Sequence, residues 1–177
     1  MTEGPIHYLL VIGEREGLAW ILRERRMAFP STSRREVTQL KVGDRLLLTT
    51  TRGCFHNPTR DATRVIALGH VLSEVAELEV PIAIAGREFT RDCSIAIDLL
   101  APYLDGVELA PLAERLDAFA GSTAWGMRLR RPLLALSARD AKLLCRRLDG
   151  VAADPAEAQP TYLARIRPIA TLGRQRG

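Results

Sequence analysis

The side chains here that could do chemistry gather at three polar breaks in an otherwise apolar pattern. Residues 29–32 read Phe-Pro-Ser-Thr, residues 49–57 read TTTRGCFHN, and Trp125 stands beside Gly126 ahead of an arginine-bearing run. Each break holds one ring: Phe29, Phe55 or Trp125. Ser31, Thr32, Thr49, Thr50 and Thr51 add hydroxyls, and Asn57 adds an amide. Rings offer a face to stack on, and neutral donors and acceptors read a polar edge without adding charge. The combination suits a flat, polar, planar ligand better than a redox or metal centre. Each residue also has a plainer role. Ser31 and Thr32 are good helix caps, three threonines fill a strand, Asn57-Pro58 is turn chemistry, and Phe55 can anchor its own loop. Trp20 sits mid-helix among Leu18, Ile21 and Leu22 and reads as core.

Nucleophilic and metal chemistry find little support. His7 and His70 fall in apolar strands, so only His56 lies in a loop. No GxSxG, HExxH or GxxxxGK[ST] pattern occurs. Cys54 and His56 are two apart and would share a strand face, but no third group to orient them is evident. The three cysteines, Cys54, Cys93 and Cys145, lack CxxC spacing and read as free thiols. No metal and no cofactor is called for.

The elements that must hold these residues are legible in outline. Residues 41–75 read as a Val-Gly-Asp turn, an apolar strand ending in threonines, a long polar loop and a second strand with Gly69 inside it. Residues 7–12 form a buried strand, and 16–26 a helix. A second short helix runs to Leu40. Residues 80–85 and 88–97 form a hairpin about Ala85-Gly86-Arg87. Residues 108–119 are helical, 125–136 form a strand, and Ser137 with Asp140 opens a last helix over 138–148. Five or six strands with clustered helices, rather than alternating βαβ units, give an α+β domain around a small mixed barrel.

With 177 residues, 47% of them hydrophobic and 26% charged, the chain supports one domain with a real core. No apolar run reaches the roughly 18–20 residues that span a bilayer, and the N-terminus has no secretory pattern, so a cytoplasmic monomer is expected. The net charge of +4 conceals a segregation: residues 15–64 carry net +6, 65–120 net −7 and 121–177 net +7. Such a pattern predicts one positive face aimed at phosphates. Arg52, Arg60, Arg64, Arg128, Arg130 and Arg131 are the candidates, with Arg64 equally able to pair with Asp61. Arginine supplies 23 of the 25 basic residues, a bias that GC-rich coding also produces.

Several of these segments together resemble an EVE domain, a PUA-like relative of YTH and ASCH domains. They are the opening HYLLVI, the aromatic-Pro-Ser/Thr segment, the VGD turn, the loop TTRGCFHNPTRD, the strand RVIALGHV and the closing W-x-x-x-LRRPL. The resemblance covers roughly residues 5–149 and implies a PUA-like pseudobarrel. It also implies a cleft that receives a modified base flipped out of nucleic acid. Phe29 stands where the family usually carries tryptophan.

The expected organisation is therefore a PUA-like domain over residues 1–150 and a basic tail over 151–177 that can pack on it. The expected function is non-enzymatic binding of RNA or DNA, with a modified base held by Phe29, Ser31, Thr32, Thr49, Thr50, Thr51, Phe55, Asn57 and Trp125. Arg52, Arg60, Arg128, Arg130 and Arg131 would hold phosphates, and an effector would be a separate partner. Two alternatives stay open: an ASCH-like amidohydrolase acting on a modified nucleoside through Lys41, and a pocket for a free nucleotide.

Overall fold

The computed structural model describes residues 3–31, 35–57 and 59–166. Its centre is a parallel pair, β1 (His7–Ile12) beside β3 (Arg45–Thr50), in register from His7 opposite Arg45 to Ile12 opposite Thr50. Both strands are nearly continuous apolar runs because both of their faces are covered. Strand alternation sorts their side chains to two cores. Tyr8, Leu10, Ile12, Leu46 and Leu48 join one cluster with Leu18, Ile21 and Leu22 of helix α1 (Arg15–Glu24). Leu9 and Leu47 point the other way, into a cluster with Ala141, Leu144 and Leu148 of helix α3 (Ala138–Asp149).

A parallel pair needs a crossover. Here it is α1, strand β2 (Arg26–Phe29) and helix α2 (Arg35–Gln39). Arg25 adopts a left-handed conformation (φ 52°) and ends α1, so the residues after it are extended and pair with a later strand. Strand β2 was not apparent from the sequence pattern. Beyond β3 come β4 (Arg64–Val71), β5 (Ala76–Ile84), β6 (Arg87–Leu100), the short β7 (Val107–Glu108) and β8 (Leu133–Leu136). They make one sheet in the order β2-β6-β4-β3-β1-β8, with β5 on β6 and β7 on β4. The sheet curls into an open half-barrel with helices packed on it, which is an α+β pseudobarrel.

Two expected elements change character. Residues 125–136 are not one strand: residues 125–130 form a 3-10 helix and β8 begins only after Pro132, which has no N–H for a ladder. Residues 108–119 form 3-10 turns rather than an α-helix, burying Leu109, Leu112, Leu116 and Phe119 at near three-residue spacing. The segment after 150 contributes helix α4 (Pro155–Leu163), and Tyr162 of that helix is 1% exposed, its hydroxyl donating to the Ala101 carbonyl at 2.6 Å.

The VGD turn fastens the central strands. Gly43 takes φ 93° and donates its N–H to the Val71 carbonyl at 2.9 Å. Asp44, only 4% exposed, accepts from the Ile6 N–H at 3.0 Å and the Lys41 N–H at 2.8 Å. Gly69 lets β4 and β6 approach closely, since a Cβ there would lie 2.2 Å from the Ala96 carbonyl oxygen. Replacing Asp44 by Ala leaves two amides without their acceptor and should cost about 1–3 kcal/mol, lowering Tm by roughly 3–10 °C. Gly69→Ala must move backbone rather than a side-chain tip, so it should cost more than Asp44→Ala. Thermal unfolding followed by circular dichroism measures both, and a Gly69→Ala protein as stable as the parent would contradict the close approach.

Candidate functional site

Strands β1 and β3 stop together, and what leaves their ends surrounds a cleft of about 370 Å³. Its floor is apolar and buried: Ile12 from β1, Ile21 from α1, Met27 and Ala28 from β2, Val37 from α2 and Leu129 from the 3-10 helix. Two half-buried rings also line it, Trp20 of α1 and Phe89 of β6. Thr51, Glu14, Arg87, Arg130 and Arg131 supply the polar lining.

Local geometry explains how each wall is made. The β5–β6 turn carries Ala85 at φ 50° and Gly86 at φ 75°, the pair of left-handed residues that closes a two-residue hairpin. That hairpin brings Arg87 and Phe89 to the cleft, with the guanidinium carbon of Arg87 5.7 Å from the Phe89 ring centre. Arg26 sits 5.5 Å from the Trp20 ring centre and also pairs with Asp92, so β6 holds the cation that covers this ring. On the opposite side the chain arrives from the 3-10 helix over Leu129, Arg130, Arg131 and Pro132, and Pro132 accepts from the Val11 N–H at 2.9 Å. Arg131 pairs with Glu36 at 3.3 Å, whereas Arg130 is exposed.

Of the residues singled out from the sequence, Thr51, Arg130 and Arg131 line this cleft. Phe29 does not wall it. Its ring is 1% exposed and faces the core, while Pro30 takes the lining position. Thr49 and Thr50 are buried, and the Thr49 hydroxyl donates to its own strand, at the Leu47 carbonyl, 3.1 Å away. Ser31 is exposed outside the lining, and Thr32 lies outside the described residues. Phe55 is the loop anchor: its ring centre is 5.1 Å from that of Tyr103 and 6.4 Å from that of Tyr162. Trp125 packs with Phe119 at 5.3 Å against the second core, so the three breaks converge through neighbouring residues and not through their rings.

The loop itself is tied down. Asn57 is exposed, and its carbonyl accepts from the Arg60 and Asp61 amides, which is turn chemistry. Arg64 binds Asp61 at 2.9 Å and Glu108 at 3.0 Å, an internal brace and no phosphate contact. Arg52 and Arg60 are exposed on the loop, and Arg128 donates to the Ala118 carbonyl at 2.8 Å. Lys41 is exposed beside the VGD turn, with its backbone N–H bound to Asp44.

Trp20 packs against the first core, as the sequence suggests, and it also lines the cleft, a role that sequence reasoning missed together with that of Phe89. At 100° per residue Trp20 lies roughly opposite Leu18, Ile21 and Leu22 on α1, off the stripe that faces the core. Phe89 shares the strand alternation of Cys93 and Ile95, which continues the inward face beyond the end of the core.

Neither a protein-family model nor a curated protein matches the chain. Solved structures do. The YTH domain of Mmi1, solved as a complex with RNA, superposes with a TM-score of 0.55 at 10% identity over 83% of this chain and 79% of that one. An NMR structure of a Rhodopseudomonas palustris protein gives 0.51 at 13% identity, covering 82% and 94% of the two chains. A hypothetical protein from Leishmania major gives 0.51 at 14%, covering 85% and 98%. At these identities the likeness is one of fold. No helix among the described residues is long and apolar enough to cross a membrane.

Burial pushes the Cys54 thiol up to about 12 and the Cys93 thiol likewise, so at neutral pH both stay protonated. A Cys54/His56 nucleophile pair is therefore unsupported. Iodoacetamide at pH 8 should leave Cys54 and Cys93 unmodified in the native protein and label half-buried Cys145 first, read by peptide mass spectrometry. Native labelling of Cys54 as fast as in the unfolded chain would restore the nucleophile.

Proposed function

We propose that this chain is a nucleic-acid-binding module of the EVE kind, and that its cleft takes in one base extruded from RNA or DNA. The observation that carries this reading is that two half-buried rings, Trp20 and Phe89, line one cleft together with an apolar floor and the exposed arginines Arg87, Arg130 and Arg131. A flat aromatic ligand gains from ring stacking about 1–3 kcal/mol, and an apolar floor accepts a modified base carrying extra carbon at no polar loss. Arg87, Arg130 and Arg131 of the lining would hold the backbone on either side of an extruded nucleotide, which positions the strand without reading its sequence. The fold shared with the RNA-bound YTH domain supports the same reading. On this reading the module works by capture rather than by chemistry.

Two kinds of variant separate the contributions. Affinity for single strands should fall with salt, with a log–log slope near −0.7 per phosphate contact. Arg130→Ala and Arg131→Ala should each weaken all sequences alike and flatten that slope by one contact. Trp20→Ala and Phe89→Ala should weaken binding by about 1–3 kcal/mol, abolish any preference for a modified base and leave the slope alone. Fluorescence anisotropy over a salt series reads all four. Negligible affinity for every oligonucleotide at low salt, with or without modified bases, would overturn the proposal.

A further inference from the structure

The cleft lining holds one carboxylate, Glu14, among its arginines, which is unexpected for a site that phosphates approach. Glu14 occupies the N-cap position of α1, where a side chain ordinarily folds back to bind the helix amides. It makes no such bond. Its backbone is extended, at φ −134° and ψ 130°, and its Oε2 lies 3.5 Å from Nε2 of His56 on the 51–63 loop. His56 is itself set by a left-handed backbone, φ 60°, and its N–H donates to the Gly53 carbonyl at 3.0 Å. The loop is fixed at this point, since the buried Cys54 carbonyl accepts from the Arg15 N–H at 3.0 Å, one residue beyond Glu14. This exposed carboxylate faces a loop histidine on one oxygen and, lining the same cleft as the two rings, has its second oxygen to offer a ligand.

From this placement we infer that Glu14 selects the base: the cleft takes bases bearing an exocyclic amine and disfavours uracil and thymine. The inference rests on the proposal that the cleft receives a base. An ionised carboxylate only accepts hydrogen bonds. Cytosine N4, adenine N6 and guanine N2 each present an amine to it, and acceptance from cytosine N4 is an established mode of acidic side chains on base edges. Uracil and thymine present a ring N–H flanked by two carbonyl oxygens, whose lone pairs face the carboxylate and oppose it. Rejection by unpaired acceptors discriminates more sharply than stacking, to which every base contributes. Thr51, beside Gly13 in the lining, brings a hydroxyl that can donate to the ring acceptor next to the amine.

The test uses the full chain and short single strands that carry one base on an otherwise abasic backbone, in ribose and deoxyribose forms. EDTA is present, because Glu14, Glu16 and His56 bring ligand atoms within 4.8 Å of one another and a stray cation would mask the carboxylate. Strands bearing cytosine, adenine or guanine should bind about tenfold tighter than those bearing uracil or thymine. Glu14→Gln places a donor beside the acceptor. It should compress the difference to within about threefold, with the uracil strand unchanged or tighter. Equal binding of all five bases by the parent protein, or a preference for uracil, would overturn the assignment of Glu14 while leaving base capture standing. A uniform loss across all bases in Glu14→Gln would overturn it too, since that is the signature of a structural role. Binding of none of the strands, when longer oligonucleotides do bind, would show that single bases are not read and end the inference. No binding to any nucleic acid would end base capture with it.

Discussion

The structure depends on Asp44 and the turn it closes. A parallel pair gains nothing from a hairpin, so its register has to be set by contacts outside the ladder. Asp44 supplies them at one end. Its carboxylate gathers the Ile6 and Lys41 amides, its own carbonyl accepts from Val71 at 2.9 Å, and Arg45 beyond it donates to the Ile6 carbonyl at 2.8 Å. The start of β1, the turn into β3 and the end of β4 are thereby joined at one buried acidic residue. A slip of one residue would turn Leu9 and Leu47 toward α1 and expose the two cores to each other's side chains.

Fixing one end of the parallel pair fixes the other. Because Ile12 is opposite Thr50, the chain leaving β1 toward α1 and the chain leaving β3 into the 51–63 loop depart side by side, and the Thr51 amide donates to the Ile12 carbonyl at 3.1 Å. The cleft is what remains where the layered core stops and these departures diverge. Its stiffness comes from a second source, the ring cluster of Phe55, Tyr103 and Tyr162 behind the loop, with Arg165 4.7 Å from the Tyr103 ring centre. Helix α4 thus braces the loop through Tyr162.

This division of labour explains what the sequence revealed. Strands β1, β3, β4 and the β5–β6 hairpin announce themselves because two-sided burial writes continuous apolar runs and an Ala-Gly turn has few other uses. Strand β2 is four residues long and continues directly from a helix, so no period could establish it. The site was legible as segments and not as side chains. Sequence pattern locates where a chain breaks, but it does not say whether a ring at a break turns inward, as Phe29 does. Phe55 was drawn inward by a partner distant in sequence, Tyr162, and Trp125 by Phe119, six residues earlier and packed under α3.

The charge segregation has a similar explanation. Two basic segments about an acidic middle look like a ready-made phosphate face, yet much of that contrast is taken up within the fold. Arg26 pairs with Asp92, Arg45 with Asp98, Arg64 with Glu108 and Arg139 with Asp117, each joining a basic segment to the acidic one. Complementary segments of opposite sign meet because β6 lies between β2 and β4, and α3 lies against the 3-10 turns. The exposed ones among them, Arg45–Asp98 and Arg139–Asp117, add little stability, about 0–1 kcal/mol, but all four cancel the local field. The positive surface that remains is therefore smaller than the sequence promises; part of it borders the cleft, where Arg87 and Arg130 are exposed, and part lies on α3, where Lys142, Arg146 and Arg147 are exposed. A carboxylate placed among those arginines is a discriminating feature against such a background, because little other negative charge in the lining competes with it.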